Sequence, residues 1–278
     1  MTFGERTVRP RLVQDTIVAT RRADELISVY ASIYVEPKFR VAGGGALRAT
    51  CAQRHLGSLR IGYGCYGAAT EWEFPNAACY LYLLPLDGGG QIGTRSGQYE
   101  VRSGRAVMIS PDAGFRGKYD VAFANLSVKP DSASLTRVLE SMTGMVFNKP
   151  LVFEPQTERR TGSALQTYLS SLLTTLEDAK PAATPAWWTA ETEHMISVLL
   201  LIEERHNYSG LFDSQHAEPS PAQLNRAEEF IAANAQRSVT AEDLARVTGV
   251  SVLSLYRGFR KVHGCTPFAF AARLREGH

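Results

Sequence analysis

Cysteine is scarce in this sequence, and so is an excess of either charge. Four cysteines occur in 278 residues, and Cys51, Cys65, Cys79 and Cys265 lie far apart with no C-x-x-C pair. That usage predicts reduced thiols in a cytoplasmic protein, and it argues against a disulfide framework or a zinc site. Lys and Arg number 30 against 28 Asp and Glu, a net charge of +2. Any attraction for nucleic acid must therefore be local. No stretch approaches ~20 uninterrupted apolar residues, so no membrane span is expected. The opening MTFGERTVRPRL lacks the apolar centre of a secretion signal. Neither G-x-S-x-G nor H-E-x-x-H occurs, and Cys65 has no base near it in sequence, so nothing points to catalysis or to a cofactor. What is present is a hydrophobic content of 44%, enough for a real core in one large or two modest domains.

The local charge lies near the C-terminal end. The stretch Thr240 to His263, TAEDLARVTGVSVLSLYRGFRKVH, predicts two short helices joined by a tight turn. Thr240 caps the first helix and Asp243 occupies the reciprocal capping position. Leu244 and Val247 share one face of that helix. Gly249 falls where the chain must turn with positive φ. Ser251 caps the second helix, which is expected to bury Leu255, Phe259 and Val262. Ala245 is small where the helices would cross, Gly249 follows four residues later, and Leu255 follows six after that. These offsets suit a helix-turn-helix, whose second helix enters the DNA major groove. The polar face of that helix carries Ser254, Tyr256, Arg257, Arg260 and Lys261, and every formal charge from Ser251 to Arg275 is positive. A solvated helical hairpin is the plainer alternative; the basic face and the ending Gly264-Cys265-Thr266-Pro267 weigh against it.

The run SVLSLYRGFRKVHGCTPFAFAARLR resembles the first helix-turn-helix of the AraC/XylS transcriptional regulators. Ser251, Leu255, Arg257, Phe259, Arg260, Gly264, Thr266 and Pro267 match that family's pattern of cap, aliphatic, basic, aromatic and turn positions. The resemblance implies contacts to double-stranded DNA from Ser251, Leu253, Ser254, Tyr256, Arg257, Arg260 and Lys261, with bases read around Leu253, Tyr256 and Arg257. Leu253 stands where the family often has arginine, and a leucine there would touch a thymine methyl instead. The family's DNA-binding region holds two such units joined by a long helix. These 278 residues contain the first unit and the start of the joining helix, Pro267–Leu274. One unit alone implies weak binding, roughly 10⁻⁴–10⁻⁶ M per protomer.

Upstream, Arg21–Tyr34 reads as a helix with Leu26, Ile27, Tyr30 and Ile33 on one stripe. From Ala46 to about Val128 the period switches to two. Leu47–Cys51, Leu56–Tyr63, Ala78–Leu84, Gln98–Val101, Ala106–Ser110 and Val121–Val128 read as strands, with turns at Asp87-Gly88-Gly89-Gly90 and Arg95-Ser96-Gly97. The unit GQYEVRSGRAVMISP suits a small cupin-like jelly-roll barrel, the effector domain that AraC/XylS proteins carry. The XylS branch in particular resembles Leu59-Arg60-Ile61-Gly62-Tyr63-Gly64 and Ser110-Pro111-Asp112. Gly62, Gly64 and Gly67 also spell G-x-G-x-x-G, but no helix follows them as a dinucleotide site requires. His55 is the one histidine of the barrel region and His194 the next, so a metal-dependent cupin would lack its ligands. Helices are expected over Ser132–Met142, Ser163–Asp178 and Ala186–His206, the last apolar almost all round and therefore covered on most faces.

The expected fold is α+β: an N-terminal cupin-like β-barrel with following helices, then an all-α helix-turn-helix region that is incomplete. The expected domains are 1–206 for effector binding and dimerisation, 207–219 as linker, and 220–278 for DNA. Ser220-Pro221 opens a helix to about Asn234 that turns Leu224, Ala227 and Ile231 inward. The expected function is a cytoplasmic, homodimeric regulator of transcription that responds to a small molecule. The rival is a catalytically silent ligand-binding or dimerisation protein without productive DNA binding. The expected pocket draws on Trp72, Tyr80, Tyr82 and Met108. The XylS resemblance implies an aromatic carboxylate held by Arg48 or, second, Arg60; alternation opposite Leu59, Ile61 and Tyr63 argues that Arg60 faces out.

Overall fold

The computed structural model describes residues 11–111, 114–143, 147–156, 163–178, 184–213, 219–234, 239–250 and 252–276. The chain divides into two compact units, one of residues 1–135 with 151–207, the other of residues 136–150 with 208–278.

In the first unit a 3-10 turn (Val13–Asp15) leads into β1 (Thr16–Thr20), α1 (Ala23–Ala31) and β2 (Lys38–Val41). The strands β3 Ala49–Leu56, β4 Leu59–Cys65, β5 Thr70–Phe74, β6 Leu81–Asp87, β7 Gly89–Thr94, β8 Gly97–Arg102, β9 Val107–Ile109, β10 Phe115–Tyr119 and β11 Ala124–Lys129 follow. Among the described residues they form a six-stranded sheet, β1-β3-β4-β11-β6-β9, and a five-stranded sheet, β2-β5-β10-β7-β8, with antiparallel pairing throughout.

Several strand expectations are corrected here. The expected strand Leu56–Tyr63 is two strands, because Gly57 has φ +63 and turns the chain between β3 and β4, with Leu56 paired to Leu59. The expected turn at Asp87–Gly90 is confined to Gly88, with φ +58, and Gly89 already belongs to β7. The strands β1, β2, β5, β7 and β10 fall outside the expected set. The outer faces of β2, β5 and β10 are charged, β7 is glycine-rich, and β1 is largely exposed. Thr70, Trp72 and Phe74 of β5 are buried, while Glu71 and Glu73 between them reach cross-strand partners. Glu73 meets Arg116 at 3.2 Å and Lys38 at 3.7 Å; Glu71 meets Arg40 and, at 3.8 Å, Lys118.

The helices α2 (Ser132–Thr143), α3 (Ala164–Asp178) and α4 (Ala186–Glu203) follow the strands. Leu165, Leu169, Leu172, Leu173 and Leu176 make the buried stripe of α3. In α4 the consecutive residues Val198, Leu199, Leu200 and Leu201 are all buried, as a helix apolar on every side requires. Glu203 closes the N-terminus of α3: its carboxylate accepts from the Ala164 N–H at 2.8 Å and from the Ser163 hydroxyl at 2.6 Å. A negative charge is favourable at that end of a helix.

Arg54 fixes the helical layer to the sheet. It sits on β3 with a side chain only 4% exposed, paired to Asp15 at 2.6 Å, and Asp15 is 6% exposed. Its Nε donates to Asp15 at 2.9 Å and its Nη1 donates to the Leu176 carbonyl in α3 at 2.9 Å. Three segments distant in sequence thus share one buried guanidinium.

The second unit holds α5 (Gly210–Asp213), α6 (Pro221–Ala233), α7 (Ala241–Thr248), α8 (Val252–His263) and α9 (Pro267–Glu276). Ser220 with Gln223, and Thr240 with Asp243, form complete capping boxes, so orphan N–H donors at both helix starts are satisfied. Gly249 takes φ 69 and closes α7 with an N–H bond to the Ala245 carbonyl at 2.9 Å. The core gathers Leu224, Ala227 and Ile231 of α6 with Leu244, Leu255, Phe259 and Ala271. Two apolar expectations are corrected: Val247 is 36% exposed and Val262 is 60% exposed. The buried stripe of α8 passes through Val252, Leu255, Tyr256 and Phe259 instead. Gly258 marks the closest approach of α8 to the start of α6. A Cβ there would lie 2.5 Å from Pro219 Cγ and 2.8 Å from Leu224 Cδ2.

Two stability outcomes follow from this packing. Asp15→Ala leaves a guanidinium buried without its counter-ion and should cost about 3–5 kcal/mol, read as a lower urea midpoint of the first unit by tryptophan fluorescence. Gly258→Val overpacks the α6–α8 contact and should cost about 1–3 kcal/mol. In that variant helical circular dichroism should melt earlier, with the tryptophan signal of the first unit unmoved.

Candidate functional site

Between the two sheets lies a cavity of about 50 Å³. Its two walls differ in chemistry. The wall from the six-stranded sheet is polar and small. Antiparallel register places Cys51, Gly64 and Asn125 side by side across β3, β4 and β11, and Gln53, Gly62 and Ser127 in the next row. All six line the cavity. The intervening residues Leu59, Ile61, Leu126 and Val128 are buried on the opposite, helix-bearing face, because successive side chains of a strand alternate. The two glycines keep the space open. A Cβ on Gly62 would lie 2.5 Å from the Ser127 hydroxyl oxygen, and one on Gly64 would lie 3.3 Å from Asn125 Oδ1. Gly67, with φ +62, belongs to the turn after β4. The G-x-G-x-x-G spacing therefore clears a cavity wall and shapes a turn.

The facing wall is aromatic. Trp72 and Phe74 of β5 stack at 5.3 Å, Phe74 stacks on Phe115 at 4.6 Å, and Tyr119 stacks on Phe123 at 3.9 Å. Tyr30 of α1 and Tyr34 just after it complete this wall, with Tyr30 4.4 Å from Trp72 and Tyr34 4.6 Å from Phe74. The Tyr30 hydroxyl lies 3.0 Å from that of Tyr66. Burial pushes the phenols of Tyr30, Tyr34, Tyr66 and Tyr119 up, and it pushes the Cys51 thiol up to about 12. All of these groups are neutral near pH 7. Among the described residues the buried Trp72 Nε1 has no hydrogen-bond acceptor.

Lys129, the last residue of β11, is the cation of this cavity. It is 9% exposed, and its Nζ lies 4.4 Å from the centre of the Tyr34 ring, a cation–π arrangement. Among the described residues no carboxylate pairs with it. Burial lowers its pKa to about 8; the thiols of Cys79 and Cys51 act upward and the charge of Arg60 acts downward. Register pairs Lys129 with Arg60 and Arg60 with His55, so Arg60 lies on the cavity-side face of its sheet, beyond the lining residues and exposed.

Of the expected pocket residues, the structure brings Trp72 into the cavity lining and sets the others elsewhere. Leu81 and Leu83 line the cavity, so Tyr82 and its partner Met108 point to the other face. The Tyr82 hydroxyl accepts from Gln166 of α3 at 3.5 Å, and the Tyr80 hydroxyl donates to the Leu151 carbonyl at 2.7 Å. Arg48 is exposed ahead of β3. The sides of β4 are the reverse of those expected: Leu59, Ile61 and Tyr63 lie on the helix-bearing face, and Arg60 shares its face with Lys129. The residues missed are Lys129, Asn125, Ser127 and the tyrosines of the α1 region. The signal for Asn125, Ser127 and Lys129 is their alternation with Ala124, Leu126 and Val128 along β11.

In the second unit, α8 carries the expected DNA contacts. Arg257, Arg260 and Lys261 are exposed. Ser254 at 3% and Tyr256 at 5% are buried, contrary to the expectation that both face away from the core. The Tyr256 ring lies 6.0 Å from that of Phe268 at the start of α9. The Arg257 guanidinium donates from Nη2 to the Phe212 carbonyl at 2.7 Å. Ser251 and the Leu253 side chain lie outside the described residues.

Residues 28–201 match the family model described as the AraC-binding-like domain. That span is more than half of the chain and contains both cavity walls. A similar curated protein is the probable thc operon regulatory protein of Rhodococcus erythropolis, 26% identical over 257 residues, 88% of this chain and 75% of that one. Among solved structures, the AraC-like transcriptional activator CuxR aligns with a TM-score of 0.51 at 15% identity, covering 93% of this chain and 91% of its own. At that identity the likeness shows a shared fold. The chain belongs to the AraC-binding-like family, in agreement with the AraC/XylS resemblance of its C-terminal helices.

Proposed function

We propose that this AraC-family chain is a transcription regulator that binds a small effector in the cavity of its first unit and DNA through α8 of its second. The observation that carries the reading is the cavity itself: a space with one hydrogen-bonding wall and one aromatic wall, on the same chain as a pair of helices, α7 and α8, joined at Gly249. Small-molecule sites combine an apolar lining with a few placed polar groups in this way. The naming of the Rhodococcus relative as an operon regulatory protein supports the same reading.

The DNA part rests on the basic face of α8. Arg260 and Lys261 are exposed where phosphates would be met, and Arg257 sits one turn earlier to read a base. In the structure Arg257 is engaged with Phe212, and Tyr256 and Ser254 are covered. We read this as a resting arrangement of α8, in which DNA competes for groups already satisfied within the unit. The same burial favours the rival reading, a ligand-binding protein that does not engage DNA productively. Homodimerisation through α3 and α4 completes the proposal. Trp187 at the start of α4 is 69% exposed and Ile202 at its end is 39% exposed, so an apolar side chain is open to a second copy at each end of the helix.

Fluorescence anisotropy against duplex fragments over a salt series separates the readings. A regulator should bind with log K falling linearly in log salt. Arg260→Ala and Lys261→Ala should each reduce that slope by about 1, and Arg257→Ala should cost about 1–3 kcal/mol and relax preference at one base pair. Salt-insensitive or undetectable association across all fragments would favour the silent ligand-binding protein. Analytical ultracentrifugation should show a dimer that Trp187→Glu weakens.

A further inference from the structure

We infer that Lys129 is a nucleophilic lysine, which captures a small aldehyde or ketone from the cavity as a reversible imine. That this capture is the effector signal rests on the reading of the cavity as the effector site; the reactivity of the amine does not. A lysine becomes a nucleophile when it is desolvated in an apolar pocket or set beside a second cation. Lys129 meets both conditions. It is 9% exposed, lines the cavity and faces the Tyr34 ring, and register sets Arg60 directly across from it. A carboxylate would hold the ammonium charged, and among the described residues none pairs with it. Lys38 and Lys118, by contrast, are exposed and lie 3.7 and 3.8 Å from Glu73 and Glu71. Burial brings the pKa of Lys129 from 10.5 down to about 8. About a tenth of it is therefore free amine at pH 7, against roughly 1 in 3,000 for an ordinary lysine. The groups that face it are Cys79, Cys51, Arg60 and the Tyr34 ring. Burial pushes both thiols and the Tyr34 phenol up, which leaves Lys129 the readier nucleophile.

The chemistry balances without a further reagent. The Nζ lone pair attacks the carbonyl carbon, and a proton passes from nitrogen to the carbonyl oxygen to give a carbinolamine. Departure of that hydroxyl with the second N–H proton, as water, leaves the C=N bond. Nothing is oxidised or reduced, and the return of water reverses the capture. The Asn125 amide and the Ser127 hydroxyl line the cavity in the same inward row of β11 as Lys129. Either can donate to the carbonyl oxygen as negative charge develops there. The size of the space limits the partner. At about 50 Å³ it has room for about four water-sized groups. A carbonyl compound of about three or four heavy atoms therefore fits without displacing a wall side chain.

Reductive trapping on the full chain at about pH 7 tests this. Propionaldehyde is the probe, with sodium cyanoborohydride to reduce any imine to a stable secondary amine. Propionamide has the same shape but forms no imine, and serves as the control. Peptide mass mapping separates each lysine from the terminal α-amine. Lys129 should gain a propyl group about tenfold or more faster than the exposed Lys38, Lys118 and Lys261, and the propionamide sample should gain none. Lys129→Arg keeps the charge and offers no free amine, so its other lysines should label at the same slow rate as before. Mapping of the unaltered chain carries the test if that variant melts early. Labelling of Lys129 no faster than that of the exposed lysines overturns the proposal and leaves the effector reading standing. Fluorescence anisotropy on the trapped chain then reads the effector role. A changed affinity for DNA supports it, whereas trapping at Lys129 with unchanged affinity keeps the imine site and overturns the effector reading.

Discussion

The first unit depends on one constraint, the two-residue period of β3, β4 and β11. These strands are buried on both faces, so each residue is committed to one of two chemistries. Leu59, Ile61, Leu126 and Val128 face the helical layer, while Gly62, Gly64, Asn125, Ser127 and Lys129 belong to the cavity face. A slip of one residue in the pairing would put Lys129 under the helices and Val128 in the cavity. Arg54 guards the register from the helix side, because Arg54 can reach both Asp15 and the Leu176 carbonyl only when β3 presents its even-numbered residues to α3. The cavity and the helical layer are therefore consequences of a single alignment.

That double burial explains what the sequence could and could not disclose. The helices were legible because Leu165, Leu169, Leu172, Leu173 and Leu176 follow helical spacing and the caps at Ser220 and Thr240 have strong local chemistry. Strand existence was legible wherever alternation was visible, as in β3, β4, β6 and β11. Which side of each strand faced the cavity was not. Alternation separates two faces without saying what covers them, and the usual inference that the apolar face is the interior fails when helices cover the outside of a sheet. Tyr82 and Met108 were expected in the pocket and lie on the other face, while Lys129, which lines it, was not expected there. Tyr30 and Tyr34 were invisible for another reason: they reach the cavity from α1 and the bend after it, a long-range contact with no local signature.

Polar groups inside a fold reduce stability unless something else repays them. The first unit holds two buried cations with opposite histories. Arg54 is fully engaged, by a carboxylate and a helix carbonyl, and its role is structural. Lys129 has a ring face and thiols around it, and its burial lowers its pKa. The contrast separates a cation that has its counter-ion within the chain from one that does not.

The second unit presents the same balance on α8. The Arg257–Phe212 bond and the burial of Tyr256 satisfy groups that the proposed function would offer to DNA. A charged hydrogen bond is worth about 1.5–3 kcal/mol net, so release of this bond alone lowers the population ready to bind by roughly 10- to 150-fold. Such a gap is small enough for duplex DNA to close, since several phosphate contacts act together on Arg260 and Lys261. It is also large enough that a modest bias toward either arrangement changes occupancy severalfold. An effector can supply such a bias only to the extent that it binds one arrangement better than the other. On this reading, regulation resides in that difference and not in the strength with which the cavity holds its ligand.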